Sequence, residues 1–380
     1  MKGGPVSDRN LKVGRLAGIP IGISPLWLVI VALITVSLGS AYYPQEVDGI
    51  APGAAYLLGL LSALLLFASI LLHELGHAIV ARRRGVAIEG IDLWLLGGVA
   101  KMRGTPHTGA DELRYAIAGP MVTALIAALF AALLAALPAT APDALRALIS
   151  YQLLVNLAIL GFNLIPAFPL DGGRLLRAAL WARSGDMARA TSTAAAIGRG
   201  FAVVMIAVGV LMTMAGAPAG LWFAIIGVFL IFAGRAEESA LELRRTFSGH
   251  EAGELATFPA VTIPAGISAA EAARDYFAPH RYRSFPVLGP SGVLGLVRIE
   301  RLEELGPGQL EGTPIESLLV SDPSLLVDEH ADIAELLERP GFQRVGSAIV
   351  IGGEGQLGIL SATAVERALR AARLTKARSR

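Results

Sequence analysis

The chain has 380 residues, 54% hydrophobic and 17% charged, with a mean hydropathy of +0.60 and a net charge of +1. That composition excludes an ordinary soluble domain and leaves length for several membrane spans plus a globular module. The near-neutral balance, with basic residues scattered among loops, argues against a nucleic-acid partner, and the absence of cysteine excludes disulfides, thiolate nucleophiles and Cys-ligated zinc.

In chain order, residues 11–23 are broken by Gly14, Gly18, Pro20 and Gly22 into short strand-like pieces that suit a hairpin at the membrane surface. The first apolar run, residues 25–40, lacks a small-residue cleavage pattern and reads as a retained span. An acidic loop without Lys or Arg follows over residues 42–52. The second span, residues 54–80, ends on Arg82, Arg83 and Arg84. Residues 86–102 are too short to span and are interrupted by charge and by Gly97 and Gly98, so they read as strands. Extended backbone at membrane depth is tolerated only under cover, which makes them candidates for lining a cleft.

Four more spans are expected at residues 114–137, 148–165, 198–215 and 221–234. The stretch from Asn163 to Arg174, NLIPAFPLDGGR, reads as neither plain helix nor plain loop. An amino terminus and an Arg82 loop on one side also place Lys101, Arg103, Arg114, Arg174, Arg177, Arg183 and Arg189 there, against Arg146 alone on the other. The positive-inside bias makes that side cytoplasmic, for both termini of a multi-pass protein of the cell membrane.

From residue 248 the composition becomes that of a soluble domain with an approximate internal repeat, residues 261–305 and 325–369. The basic end of the tail reads as disordered. The expected architecture is a membrane α-helical protein: a six-span bundle with a small membrane-associated β segment, then a soluble α/β tail. The domains are residues 1–24 (surface strands), 25–238 (the six-span domain) and 248–375 (repeats at 253–308 and 313–372).

Within the second span stands His73-Glu74-Leu75-Gly76-His77. A helix puts His73 and His77 on one face, where two imidazoles reach one metal ion and Glu74 leans toward its water. Ionisable groups in so apolar a run are costly and need a reason to be there. Zinc is the first candidate, sunk below one membrane face, because His77 is only about 8 Å along the helix from Arg82. Catalytic zinc usually takes three protein ligands. Asp171, directly after a span in a Pro- and Gly-rich stretch, is the best third, ahead of Glu89, Asp92, Asp111 and Glu112, which read as surface-loop residues. Asn163 reads first as a helix-end cap, with oxyanion or substrate-backbone binding as the alternative, and Asn156 has less in its favour. His107, His250, His280 and His330 read as surface residues, and Arg82 to Arg84 as topology anchors.

HELGH in a span, followed two spans later by NLIPAFPLDGG, resembles the site-2 protease family of intramembrane zinc metalloproteases (peptidase family M50) over residues 10–238. The resemblance implies His73, His77 and Asp171 as ligands of one Zn2+ and Glu74 as general base. It also implies Asn163, Pro166 and Pro169 as residues that shape the site and engage substrate, with Gly97 and Gly98 in a strand that holds substrate extended. The implied activity is metalloendopeptidase cleavage of transmembrane segments of membrane-anchored substrates such as regulatory proteins, within the bilayer; the alternative is a proteolytically silent sensor or adaptor. The tail repeat is similar to a CBS domain pair, which implies a regulatory module and leaves open a homodimer through the CBS domains. Such pairs in many proteins bind adenine nucleotides through a Thr or Ser and an Asp. Here Arg298 and Arg301 stand at those places in the first repeat, and Ala364 replaces the acid after Ser361 in the second, so the ribose-binding acids are missing.

Overall fold

The computed structural model describes residues 11–94, 97–103, 108–280, 282–306 and 308–378. His107, singled out above, lies outside these residues. The chain divides into two compact units, Pro5–Ser239 and Ala240–Arg380.

The first unit opens with the antiparallel hairpin β1 (Leu11–Leu16) and β2 (Ile19–Ile23). Six helices are long and apolar enough to cross a membrane: α1 (Pro25–Glu46), α2 (Pro52–Arg83), α3 (Gly109–Ala136), α4 (Asp143–Asn163), α6 (Met187–Met214) and α7 (Ala219–Phe247). A shorter helix, α5 (Asp171–Ser184), lies between α4 and α6. Between α2 and α3 run β3 (Ala87–Trp94) and β4 (Gly97–Arg103), paired antiparallel, and β2 joins β3 in parallel with Ile21 opposite Ile91. The resulting sheet has the order β1-β2-β3-β4, which leaves β4 as an edge.

Small residues bring the helices together. A Cβ on Gly59 would lie 2.6 Å from the Thr35 carbonyl oxygen, and one on Gly109 would lie 2.6 Å from the Ala182 nitrogen. The large apolar side chains Leu57, Leu125 and Leu154 point outward instead, as helices facing lipid require.

The tail contains two three-stranded sheets of one plan. In the first, β5 (Ile263–Pro264) runs parallel to β6 (Ser284–Gly289), which pairs antiparallel with β7 (Gly292–Arg298). In the second, β8 (Leu326–Asp328), β9 (Ser347–Ile351) and β10 (Leu357–Ser361) repeat that arrangement. Each sheet packs on an apolar core, around Phe285, Val287 and Ile315 in one and Ile333, Leu336 and Leu360 in the other.

Four expectations need correction. The first span does not stop at residue 40: a π-helical turn over Leu38–Tyr42 carries it to Glu46, because Tyr42 donates to the Ala147 carbonyl at 3.0 Å and Tyr43 bonds Ser62 Oγ at 2.5 Å. Helix α7 continues well past residue 234, and its polar end carries Glu237 and Glu238, which pair with Arg177 and Arg199. The stretch at Asp171 opens a regular helix, whose Arg177 is buried rather than in a loop. The end of the tail is helix α8 (Ala362–Arg378), amphipathic and packed through Val365 and Leu369 rather than disordered.

Candidate metal centre

Helix α2 is continuous through the motif, so His73 and His77 stack one turn apart, 5% and 7% exposed, with their Nε2 atoms 3.2 Å apart. The Pro- and Gly-rich stretch brings the third group. A Cβ on Gly172 would meet the Leu164 and Ile165 carbonyl oxygens at 2.4 and 2.3 Å, and one on Gly173 would meet Ala167 and Phe168 backbone at 2.6 and 2.7 Å. Without those two glycines the turn over residues 164–168 could not fold down onto the start of α5. Asp171, the first residue of α5, then points at the histidines: Oδ2 lies 3.1 Å from His73 Nε2 and Oδ1 lies 3.3 Å from His77 Nε2.

These three residues form the one His, Asp and Glu group among the described residues that could hold a metal ion. Ligands at 2.0–2.2 Å around tetrahedral zinc stand roughly 3.3 Å apart, close to the separations here. The donor tautomers fit as well. His77 Nδ1 donates to the Tyr115 carbonyl at 2.7 Å, which leaves its Nε2 lone pair facing Asp171, and His73 Nδ1 lies 2.8 Å from Thr123 Oγ1, which can accept its proton and free the second Nε2 lone pair in the same way. Asp171 Oδ2 is buried without a hydrogen-bond partner. An orphaned carboxylate oxygen beside two imidazole lone pairs calls for a cation.

Glu74 is the next residue along α2, and β4 packs directly over it: a Cβ on Gly98 would lie 2.4 Å from Glu74 Cγ. Gly97 carries a φ of 135°, open to glycine alone in practice. Asn163 ends α4, partly buried, while Pro166 is half-buried and Pro169 exposed in the turn that leads to Asp171.

Glu89 and Asp92 lie in β3, and Asp111 and Glu112 in the first turn of α3; none joins the trio. Glu112 is a correction: it is fully buried, because Arg177 donates to its Oε1 from Nε at 2.8 Å and from a terminal nitrogen at 2.5 Å. Asn156 is also fully buried and donates to the Gln152 carbonyl at 2.8 Å. His250, His280 and His330 are exposed, and Arg82 donates to the Ala17 carbonyl at 2.8 Å.

Sequence reasoning missed Tyr115, Gly119 and Thr123. A Cβ on Gly119 would lie 2.2 Å from His77 Nε2 and 2.7 Å from His73 Nε2, so its bareness makes room for imidazoles rather than for a neighbouring helix. The three share one face of α3 at intervals of four residues, a signal that could have been read once α2 was known to need a partner.

Known proteins resemble this chain along nearly its whole length. The model of peptidase family M50 matches residues 61–153 and 135–207. The chain is 36% identical, over 96% of its length and 94% of the relative's, to the putative zinc metalloprotease Rip3 of Mycobacterium tuberculosis. Among solved structures it is similar to the site-2 protease of Methanocaldococcus jannaschii, with 31% identity, 60% of this chain and 95% of that chain covered, and a TM-score of 0.38. The CBS domain of a bacterial CNNM/CorC family Mg2+ transporter is similar at 20% identity, with 35% and 82% covered and a TM-score of 0.30. With 36% identity to a putative zinc metalloprotease along nearly its full length, the family match and six membrane-competent helices, the chain belongs to peptidase family M50 and is a multi-pass membrane zinc metalloprotease.

Proposed function

We propose that His73, His77 and Asp171 hold the catalytic zinc, that Glu74 is the general base, and that the reaction is cleavage of a peptide bond in or beside a substrate's transmembrane segment. The observation that carries this reading is the triangle of His73 Nε2, His77 Nε2 and the Asp171 carboxylate, with an orphaned Oδ2 at its edge. When bound, zinc supplies Lewis acidity, polarising the scissile carbonyl and lowering the pKa of water to about 7. Glu74 takes the proton of the attacking water and delivers it to the leaving amine. Asn163, Pro166 and Pro169 shape the approach to the site.

A helical substrate hides its carbonyls and must unwind before one reaches Glu74. Strand β4 is a sheet edge whose Gly98 lies on the Glu74 side chain, so a segment added to that edge would run extended past the base. Substrates with Gly or other helix breakers near the cut are favoured on this reading. The buried site in a six-span bundle supports membrane-anchored proteins as the substrate class.

The orientation belongs to the same proposal. Arg174 and Arg177 bind inside the bundle and drop out of the count, yet Arg82, Arg83, Arg84, Arg114, Arg183 and Arg189 still outweigh Arg146, which favours cytoplasmic termini in the cell membrane. The CBS pair then acts as a cytoplasmic regulatory module.

The test compares wild type and Glu74→Gln, purified in detergent, for zinc content and for cleavage of a reporter transmembrane segment. Wild type is expected to hold one zinc and cut, and Glu74→Gln to hold zinc and lose about 10²–10⁴-fold in rate. Equal cleavage by Glu74→Gln, or zinc-loaded wild type that cuts no transmembrane segment, defeats the reading, the latter in favour of a silent sensor.

A further inference from the structure

Helix α5 meets α3 through a ladder of side chains that ends at the metal centre. At its first rung Asp171 reaches the two imidazoles opposite Gly119. One turn on, a terminal nitrogen of Arg174 donates to Tyr115 Oη at 2.7 Å. A further turn on, Arg177 forks onto Glu112 Oε1 at 2.8 and 2.5 Å, and its remaining terminal nitrogen donates to Glu237 on α7 at 2.5 Å. The last contact is backbone on backbone, where Gly109 leaves no room for a Cβ against Ala178 and Ala182. The α5 residues 171, 174 and 177 thus run antiparallel to the α3 residues 119, 115 and 112, each step advancing about 4.5–6 Å along the axes.

Two features set this ladder apart from ordinary packing. Apart from Asp171 at the metal end, Arg174 and Arg177 balance Glu112 and Glu237, and a slip by one turn would strand buried charge. It also joins both arms of the centre, since Tyr115 takes Arg174 on its hydroxyl and His77 Nδ1 on its carbonyl. Helix α5 carries a metal-facing side chain at its first residue, after a turn that holds Pro166 and Pro169. Its depth is therefore fixed from the far end.

We propose that Arg174 and Arg177 are positioning residues for the zinc peptidase reaction: by locking the register of α5 on α3 they set the reach of Asp171 to the metal held by His73 and His77. This rests on the ligand assignment proposed above. Outer contacts of this kind are worth about 10–100-fold in metal affinity.

The experiment measures zinc dissociation constants of the full chain in detergent by competition with a chromophoric chelator, together with the visible spectrum of the cobalt-substituted protein. Arg177→Lys keeps the charge and loses the fork onto Glu112, and Arg174→Lys keeps the charge and loses the guanidinium contact to the Tyr115 hydroxyl; both are expected to weaken zinc about tenfold or more and to shift the cobalt bands. The control is Arg199→Lys, which alters a pair of the same type, Arg199 to Glu238 at 2.5 Å between α6 and α7, and is expected to stay within about twofold of wild type. Tyr115→Phe removes one hydroxyl, leaves the carbonyl that holds His77, and replaces the lysine variants if they do not fold; a loss of about threefold or more is expected. Wild-type affinity in the ladder variants that fold, or an equal loss in Arg199→Lys, overturns the proposal. Asp171→Ala separates the two readings. If it keeps wild-type affinity, the ligand assignment fails and the register with it; if it loses zinc while the ladder variants keep it, the register alone fails.

Discussion

In the membrane unit His73, His77, Glu112, Arg177, Gln152 and Asn156 are buried while Leu57, Leu125 and Leu154 are about two-thirds exposed. In the tail the buried polar side chains among the described residues are Ser284 and Ser347, bonded to each other at 2.7 Å, and everything else in the two cores is apolar. One chain thus applies opposite rules on either side of Ser239. Where water is the solvent, burying apolar area drives folding, and charge pairs stay outside at little gain. Where lipid is the solvent, a leucine gains nothing by turning inward, and the specific contacts are close approaches of small residues and satisfied polar pairs.

The largest expected effect breaks this contrast at its sharpest point. Arg177→Met leaves Glu112 as an uncompensated buried carboxylate, which costs about 3–5 kcal/mol. Arg283 makes the matching two-nitrogen contact to Glu300 in the tail, but with 75% of its side chain exposed. Arg283→Met should cost under about 1 kcal/mol, less still at high salt. Denaturant melts of the full chain, followed by probes in each unit, check both; equal losses would mean that the two settings screen charge alike.

Leucine tests the complementary rule. Leu360, fully buried in the second tail sheet, should cost about 2–5 kcal/mol on truncation to Ala. Leu125, 68% exposed on α3, should cost less than about 0.5 kcal/mol in the same assay. A large loss at Leu125 would mean that this face of α3 meets protein rather than lipid.

Gly98→Ala sharpens the comparison at the centre itself. A methyl at that position lies 2.4 Å from Glu74 Cγ, so either the strand or the base must move. A shift of about 1 Å at a reacting group costs about 100-fold in kcat. Zinc content and melting should stay close to wild type, because the atoms nearest the added methyl belong to Glu74 and not to His73, His77 or Asp171. Unchanged kcat would show that Glu74 is not held by the strand.

The same contrast decides what could be read from the sequence. His73, Glu74 and His77 were legible because ionisable groups in an apolar run have no bland explanation, and Asp171 because an acid directly follows a span. The strands around Gly97 and Gly98 were legible from their interruption. Glu112 and Arg177 were misread because a charge near a span end normally marks the water boundary, whereas here each is the other's reason for being inside. Helix α5 was hidden for a related cause: beside the apolar Leu176 and Leu180 it buries a charged residue, Arg177, and Pro169, Gly172 and Gly173 disguise its start. Tyr115, Gly119 and Thr123 look like filler in an Ala-rich span, since what they contribute is a carbonyl, a vacancy and one hydroxyl.

The smallest effect concerns pH, and it separates the two settings by chemistry rather than by size. His330 lies 2.8 Å from the Glu251 carboxylate, which raises its pKa above the ordinary value, and the pair sits beside backbone bonds from Ala252 and Gly253 to Ala331 and Glu329. A raised pKa means that the folded tail binds this proton more tightly than the unfolded chain does. The stabilisation is therefore complete below the unfolded value of about 6.5 and disappears as pH rises through the folded one. His330→Gln should faster exchange the Ala252 and Gly253 amides relative to wild type near pH 6, with the difference vanishing on the alkaline side. An equal difference at both pH values would assign the effect to packing. The guanidinium groups of Arg174 and Arg177 add no such slope over this range, because they do not titrate there; a difference that appears near pH 6 and fades on the alkaline side is the signature of the His330 imidazole.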